Sequence, residues 1–188
     1  MATLINSPQF DYSLLKSIGT NSFISKNVEI RRPHLVSVGN NVAIDTGFYL
    51  TTGANIGDYI HIAPYITIIG GATVSINLEH FTTIAAGSRI ICASDGHLGA
   101  GLIGPTIPDE YRDDVTFGDV TFKMFSSIGT NVVVLQGITL AEGSIVGACS
   151  LLTKNTEPWT IYAGIPAKPI KMRSKEKMIE YAKKLGYL

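Results

Sequence analysis

Taking every sixth residue from Ile18 gives Ile24, Ile30, Val36, Val42, Phe48, Ala54, Ile60, Ile66, Ala72, Leu78, Ile84 and Ile90. All thirteen are apolar in a chain that is 45% hydrophobic, and independent draws give such a run in about three of 100,000 trials for one phase. A helix needs a spacing of 3.6 and an ordinary half-buried strand a spacing of two. A spacing of six, with Gly39-Asn-Asn, Gly53-Ala-Asn and Gly57-Asp between apolar positions, predicts a short strand followed by a corner. Three such units close a triangular coil of 18 residues, and coils stack at the strand spacing of about 4.8 Å with one inward apolar side chain per face. The fold class expected is all-β, a parallel β-helix.

The phase stops after Ile90 and resumes at Phe122, Ile128, Val134, Leu140, Val146 and Leu152. That places four coils before residue 93 and two after 119, with an insertion over 93–118. The open ends of such a solenoid need caps. Residues 1–17 are expected to form an N-terminal helical cap, with Ser7 as N-cap, Pro8 in the first helical position and Gly19 just beyond the end. The β-helix itself spans 18–171. In the C-terminal segment 172–188, Met178, Ile179, Tyr181, Ala182 and Leu185 at helical spacing predict an amphipathic helix over Ser174–Leu185.

Lys plus Arg and Asp plus Glu number 15 each, which argues against a strongly basic nucleic-acid binder. Charged residues make up 16%, and mean hydropathy is +0.24, as befits well-packed backbone or subunit contacts. Cys92 and Cys149 lack disulfide-framework or zinc-ligand spacing. A reducing cytoplasm, no membrane span and no metal are the expectations.

The insertion holds Ser94, Asp95, His97, Asp109, Glu110, Tyr111 and Arg112, and a loop this long inside a compact fold is usually functional. Gly99-Ala-Gly-Leu-Ile-Gly104 matches a dinucleotide fingerprint, but Pro105 and Pro108 forbid the helix that has to follow it.

The isoleucine-rich hexapeptide repeat, the long loop with a His, and Ile161-Tyr-Ala-Gly-Ile-Pro-Ala-Lys168 resemble the left-handed β-helix acyltransferases that use acyl-coenzyme A. Gly104-Pro-Thr-Ile-Pro-Asp-Glu-Tyr-Arg112, followed by the Glu157-Pro-Trp-Thr-Ile-Tyr-Ala-Gly segment, is similar to small acyltransferases of surface-polysaccharide pathways. These include enzymes that N-acylate dTDP-linked 4-amino-4,6-dideoxy sugars. The resemblance implies a cytoplasmic homotrimer with active sites at subunit interfaces and acetyl-CoA, or another acyl-CoA, along the groove between neighbours. O-acetylation of a sugar or glycoside is the enzymatic alternative and a non-catalytic scaffold the other. A γ-carbonic anhydrase shares the coil, but His34, His61, His80 and His97 lack the paired spacing of its ligands.

Acyl transfer needs a group to take the acceptor's proton. His97 is the first candidate, and Asp95 would orient it or replace it. The closer group often has two consecutive acidic residues here, whereas this chain has Gly96 in the second place. Glu79, His80, Tyr111 and Arg112 are candidates for the sugar substrate. His61 reads as a structural hydrogen-bonding residue and His34 as surface. By the same resemblance, Lys154 and Lys168 meet the phosphates of CoA, Ala148 and Thr153 give backbone contacts to pantetheine, and Pro166-Ala167 seats adenine. Trp159 and Tyr162 are packing residues. The trimer expectation adds one surface reading, that Ala54 and Ala72 face outward on flat sides.

Overall fold

The computed structural model describes residues 8–188. Short strands stack into three parallel sheets, one on each side of a triangular prism. The first face carries Ser17–Ile18, Val36–Val38, Gly53–Ile56, Ser75–Leu78, Val120–Phe122 and Thr139–Leu140. Phe23–Ile24, Ala43–Ile44, His61–Ile62, Thr83–Ile84, Ser127–Ile128 and Ile145–Val146 follow one another up the second face. The third begins with Glu29–Ile30 and ends with Leu151–Leu152. Six coils are complete. Thr160–Gly164 begins a seventh on the second face, and Ala167–Met172 folds back antiparallel against it.

The side chains that stack into ladders are almost completely enclosed. On the second face Ile24, Ile44, Ile62, Ile84, Ile128 and Val146 lie over one another, none more than 2% exposed. Each face carries a second inward position two residues earlier, which the expectation of one per face missed. Val36, Val42, Phe48, Ala54, Ile60 and Ile66 occupy it and are buried. Ala54 therefore points inward rather than out.

Coil length explains why the sixfold series runs through both positions. Ile18 pairs with Val38, twenty residues on, and Ile56 with Leu78, twenty-two residues on. Val38 with Ile56 and Phe122 with Leu140 keep the expected eighteen. The extra two and four residues add up to one repeat unit. The series slips from one inward position to the other after Ile30 and slips back at Leu78. Ala72 falls inside the second insertion and is exposed.

At the N-terminal end the expected helix is absent among the described residues, and its proposed N-cap Ser7 lies outside them. Gln9 makes an antiparallel bridge to Ser25, and Phe10 N–H donates to Ile24 O at 2.9 Å. The chain is thus committed to capping the first coil by backbone pairing, which leaves one 3-10 turn at Tyr12–Leu14. Asp11 Oδ1 accepts Ser13 N–H at 3.0 Å and closes that turn. Phe10, Tyr12 and Leu15 cover the end of the core. The C-terminal helix is present over Glu176–Lys184.

That helix lies against a column of corner residues between the first and second faces. Tyr59, Phe81 and Phe125 take the left-handed backbone conformation there, and their rings stack at centroid distances of 5.3 and 5.5 Å. Trp159 continues the column over Gly143, where a Cβ would sit 2.3 Å from the indole. Ala182 and Met178 pack on this column. Tyr187, after the helix, donates its hydroxyl to Asp58 Oδ2 at 2.6 Å. Burial pushes the Asp58 carboxyl up, but hydrogen bonds from Tyr187 and Asn40, with His80 nearby, outweigh it and hold Asp58 below the usual carboxylate range. The same bond pushes the Tyr187 hydroxyl up to about 12.

The two shifts define a pH window for this tie. A depressed carboxyl contributes stability that is complete above its unfolded value of about 3.9 and is lost as pH falls through the folded value. A raised phenol contributes stability that is complete below about 10 and fades as pH rises towards its folded value. Tyr187→Phe is therefore expected to lower the melting temperature between about pH 4 and pH 10 and to flatten its decline on both sides. A melting profile from pH 2 to 12 identical to wild type would contradict this role for the bond.

Candidate active site

All three insertions into the eighteen-residue coil fall at one corner, between the third face and the first. The first insertion brings Arg31-Arg32 and the Pro33–Leu35 turn, the second Gly70-Gly71, and the third the segment 93–118. Together they enclose a cleft of about 430 Å³ lined by Arg31, Arg32, Thr51, Ile69, Gly70, Gly71, Ala93, Ser94, Asp95, Pro105, Arg112, Val115 and Phe117. The corners of the first three coils form its floor, and the long insertion folds back over them.

The insertion is ordered by its own short ladder. Ala93–Asp95 pairs antiparallel with Val115–Phe117, and Leu102 bridges Arg112 further out. Cys92, fully buried at the root, has its thiol pushed up to about 12 by burial, so it is an inert packing group. Asp95 ends the first strand inside the cleft. Gly96 follows, its N–H donating to Asp114 O at 2.7 Å. His97 then turns into the left-handed region at φ 57°. Its ring is exposed, with Nε2 3.3 Å from Ser94 Oγ, and it does not line the cleft. Of the two candidate proton acceptors the cleft holds Asp95 only.

Asp113 lies under this turn. It is 3% exposed, one oxygen accepts Asp114 N–H at 2.9 Å, and the other has no hydrogen-bond partner among the described residues. A Cβ on Gly96 would stand 3.7 Å from that free oxygen.

The remaining expected residues are distributed as follows. Arg112 is in the cleft, with Nη2 2.9 Å from Asp109 Oδ1. Tyr111 beside it is 62% exposed and outside the lining. Glu79 and His80 stand at the aromatic corner, away from the cleft. Glu79 pairs with Lys123 Nζ at 2.7 Å and accepts Met124 N–H. His80 Nδ1 accepts Asp58 N–H at 2.9 Å under the Tyr187 ring. His61 Nε2 is 2.9 Å from Asp45 Oδ2, the structural bond expected of it.

The residues assigned to CoA all lie at the C-terminal end of the prism. Ala148 is at the corner between the second and third faces, Pro166 is at the tip of the final hairpin, and Ala167 and Lys168 are on its return strand. Thr153 and Lys154, both exposed, follow the last strand of the third face. They therefore share a corner with the cleft, two coils beyond the point where the long insertion leaves, or about 10 Å along the axis.

Arg31, Arg32 and Asp113 were not anticipated from sequence. Among the described residues no cluster of His, Cys, Asp and Glu could hold a metal ion, and no helix is long and apolar enough to cross a membrane.

No family model matches the chain. It is 36% identical over 164 residues to the dTDP-4-amino-4,6-dideoxy-D-glucose acyltransferase of Escherichia coli, covering 86% of this chain and 84% of that protein. It is also similar to AntD, an N-acyltransferase from Bacillus cereus solved with dTDP and 3-hydroxybutyryl-CoA, with 32% identity and a TM-score of 0.89 over 96% of this chain and 97% of that one. The galactoside O-acetyltransferase of Escherichia coli K12 is 25% identical over 159 residues, 80% of this chain and 70% of that protein.

Proposed function

This chain belongs to the hexapeptide-repeat acyltransferases, in the group that N-acylates dTDP-linked amino sugars, and we propose that Asp95 is the residue through which it handles its amine. The enzyme moves an acyl group from acyl-CoA to the amino group of a nucleotide-linked amino sugar. The acceptor we assign is a dTDP-linked 4-amino-4,6-dideoxy sugar. The position of Asp95 carries the reading, since among the described residues it is the one acidic side chain lining a cleft otherwise rich in arginine.

A sugar amine is largely protonated near neutral pH and has to lose a proton before its lone pair can attack. Asp95 holds the ammonium by a charge-assisted hydrogen bond and draws that proton off as the nitrogen approaches the thioester carbonyl. The C–N bond forms and a tetrahedral oxyanion results. On its collapse the C–S bond breaks and the CoA sulfur leaves as a thiolate, which takes up the nitrogen's second proton, while Asp95 passes the first to solvent. A thiol of ordinary pKa about 8.5 is a competent leaving group, so no strong acid has to stand beside it.

Acyl-CoA is assigned to the C-terminal end, with Lys154 and Lys168 on its phosphates, Ala148 and Thr153 along pantetheine, and Pro166-Ala167 against adenine. The support is the shared corner of Thr153, Lys154 and the cleft. We further assign a homotrimer with CoA between neighbouring prisms, a cytoplasmic location where nucleotide sugars and acyl-CoA are made, and a role in building surface polysaccharide. A solution mass of three chains is the expected result for the assembly. Acetyl-CoA at 100 times its dissociation constant should stabilise the protein by about 2.7 kcal/mol, read as a rise in melting temperature. Lys154→Ala and Lys168→Ala should each weaken acetyl-CoA binding about 10- to 150-fold, the worth of a charge-assisted phosphate contact. Unchanged affinity in both variants would contradict the phosphate contacts.

A further inference from the structure

We propose that Asp113 is a positioning residue for acyl transfer, the latch onto which the glycine-rich turn over residues 96–101 closes beside Asp95. Only the reaction it serves rests on the acyl-transfer reading. Asp113 is 3% exposed, one of its oxygens accepts Asp114 N–H at 2.9 Å, and the other has no hydrogen-bond partner among the described residues. A carboxylate oxygen buried without a donor is destabilising, and folded proteins complete nearly all such groups. The turn beside it holds the donors that would do so.

Both ends of the turn are fixed around Asp113, and its tip is not. Gly96 N–H donates to Asp114 O at 2.7 Å, Leu102 N–H to Tyr111 O at 2.8 Å, and Asp113 N–H to Leu102 O at 2.9 Å. A Cβ on Gly101 would stand 2.6 Å from Asp113 N, and one on Gly96 3.7 and 3.8 Å from the two Asp113 oxygens. Between these anchors the N–H groups of residues 97–101 make no hydrogen bond among the described residues. His97, Leu98, Gly99 and Ala100 are exposed, Leu98 by 92%. Gly99 has φ +83°, and a Cβ there would meet nothing within 4 Å. The first unbonded N–H, that of His97, is one peptide unit from Gly96. A rotation about the Gly96 backbone, which no side chain hinders, brings it onto the free oxygen.

The link to the reaction is a competition for donors. Asp95 precedes Gly96 in the chain and Asp113 lies beneath it, so the N–H groups of the turn can serve either carboxylate. An ammonium on Asp95 gives that carboxylate a donor of its own and leaves those N–H groups to Asp113. Closure then fixes the strand end that carries Asp95, lowers Leu98 over the bound amine and keeps water from the thioester.

Hydrogen–deuterium exchange of the full-length protein, free and with dTDP-4-amino-4,6-dideoxyglucose plus CoA, tests the latch. Asn has one acceptor where Asp has two, so in Asp113→Asn it can serve Asp114 N–H or the turn but not both. The amides of residues 97–101 are expected to exchange at least about twofold more slowly in free wild type than in free Asp113→Asn, the low end for a hydrogen bond. The two ligands should slow them at least about tenfold further in wild type and less than about twofold in the variant. In Asp113→Asn kcat should fall at least about tenfold while KM for acetyl-CoA stays within about twofold. The ladder amides of Ala93–Asp95 and Val115–Phe117 should exchange as in wild type, whereas general loosening of the insertion would speed them too. If Asp113→Asn does loosen the ladder, Gly96→Ala decides: its methyl group, 3.7 Å from the free oxygen, fills the space that closure uses and should speed exchange at 97–101 with Asp113 intact. Equal exchange at 97–101 in free wild type and the variants, or ligand protection retained in both variants, overturns the latch while the acyltransferase reading stands. If neither ligand raises the melting temperature, that reading falls, and exchange in the free proteins still decides the latch.

Discussion

Asp95→Asn is expected to lower kcat/KM for a dTDP-linked amino sugar by about 10²- to 10⁴-fold, the range for loss of a positioned proton acceptor. The amide keeps the shape of the carboxylate and its place at the end of the Ala93–Asp95 strand, so the fold should survive. It loses the charge that attracts an ammonium and the basicity that deprotonates it. His97→Ala should cost less than about tenfold, because the imidazole is exposed outside the cleft and an amine acceptor, unlike a hydroxyl, can shed its proton before it attacks. The ratio of the two effects also separates the chemistries: a hydroxyl acceptor needs a base throughout bond formation, so a hundredfold loss in His97→Ala would favour O-acylation. Wild-type rates in both single variants and in the double variant would move the active site out of the insertion.

Phe122→Ala should destabilise the protein by about 3–5 kcal/mol, as expected for emptying a fully buried aromatic site. Phe122 is 0% exposed and stands where the chain re-enters the prism after the long insertion. It pairs with Leu78 in the coil below and Leu140 in the coil above, so the cavity would break the ladder across the seam that carries the insertion. Both neighbours belong to strands of two to four residues, whose closed hydrogen-bonded coils leave little freedom to collapse inward. Thr121→Ala, on the outward side of the same strand, should change stability by no more than about 0.5 kcal/mol. Urea unfolding at one fixed protein concentration measures both. A loss below about 1 kcal/mol for Phe122→Ala would show that the ladder does not carry the stability assigned to it.

The prism was legible because burial repeats at a fixed spacing, and neither a helix nor an open sheet buries every sixth residue. The 26-residue insertion was legible for the same reason, as a gap in that spacing. The two shorter insertions were not, because Arg31-Arg32 and the segment around Gly71 delay the repeat by two and four residues and the delays cancel within one unit. Had the phase been followed on both inward positions, the slip at Val36 would have marked the corner where Arg31 and Arg32 enter the cleft. Asp113 left no local trace, since its burial depends on an insertion folding over itself. The N-terminal segment carries the cap signals of a helix, yet pairing of Gln9 with Ser25 prevails; an open solenoid end rewards backbone pairing more than a short isolated helix rewards its own turns. At the other end the helical spacing of Met178 and Ala182 was followed faithfully because an aromatic column was there to receive that face.

The most direct test of the whole account is release of the CoA thiol when the purified protein is mixed with acetyl-CoA and dTDP-4-amino-4,6-dideoxyglucose, beside the same reaction with the free amino sugar and with the dTDP sugar bearing a hydroxyl in place of the amine. The account predicts rapid thiol release and an N-acetylated product with the nucleotide-linked amine, with the free amino sugar slower by at least the worth of one phosphate contact, about tenfold. Equal rates for amine and hydroxyl acceptors, or no release with the nucleotide-linked amine, would contradict it.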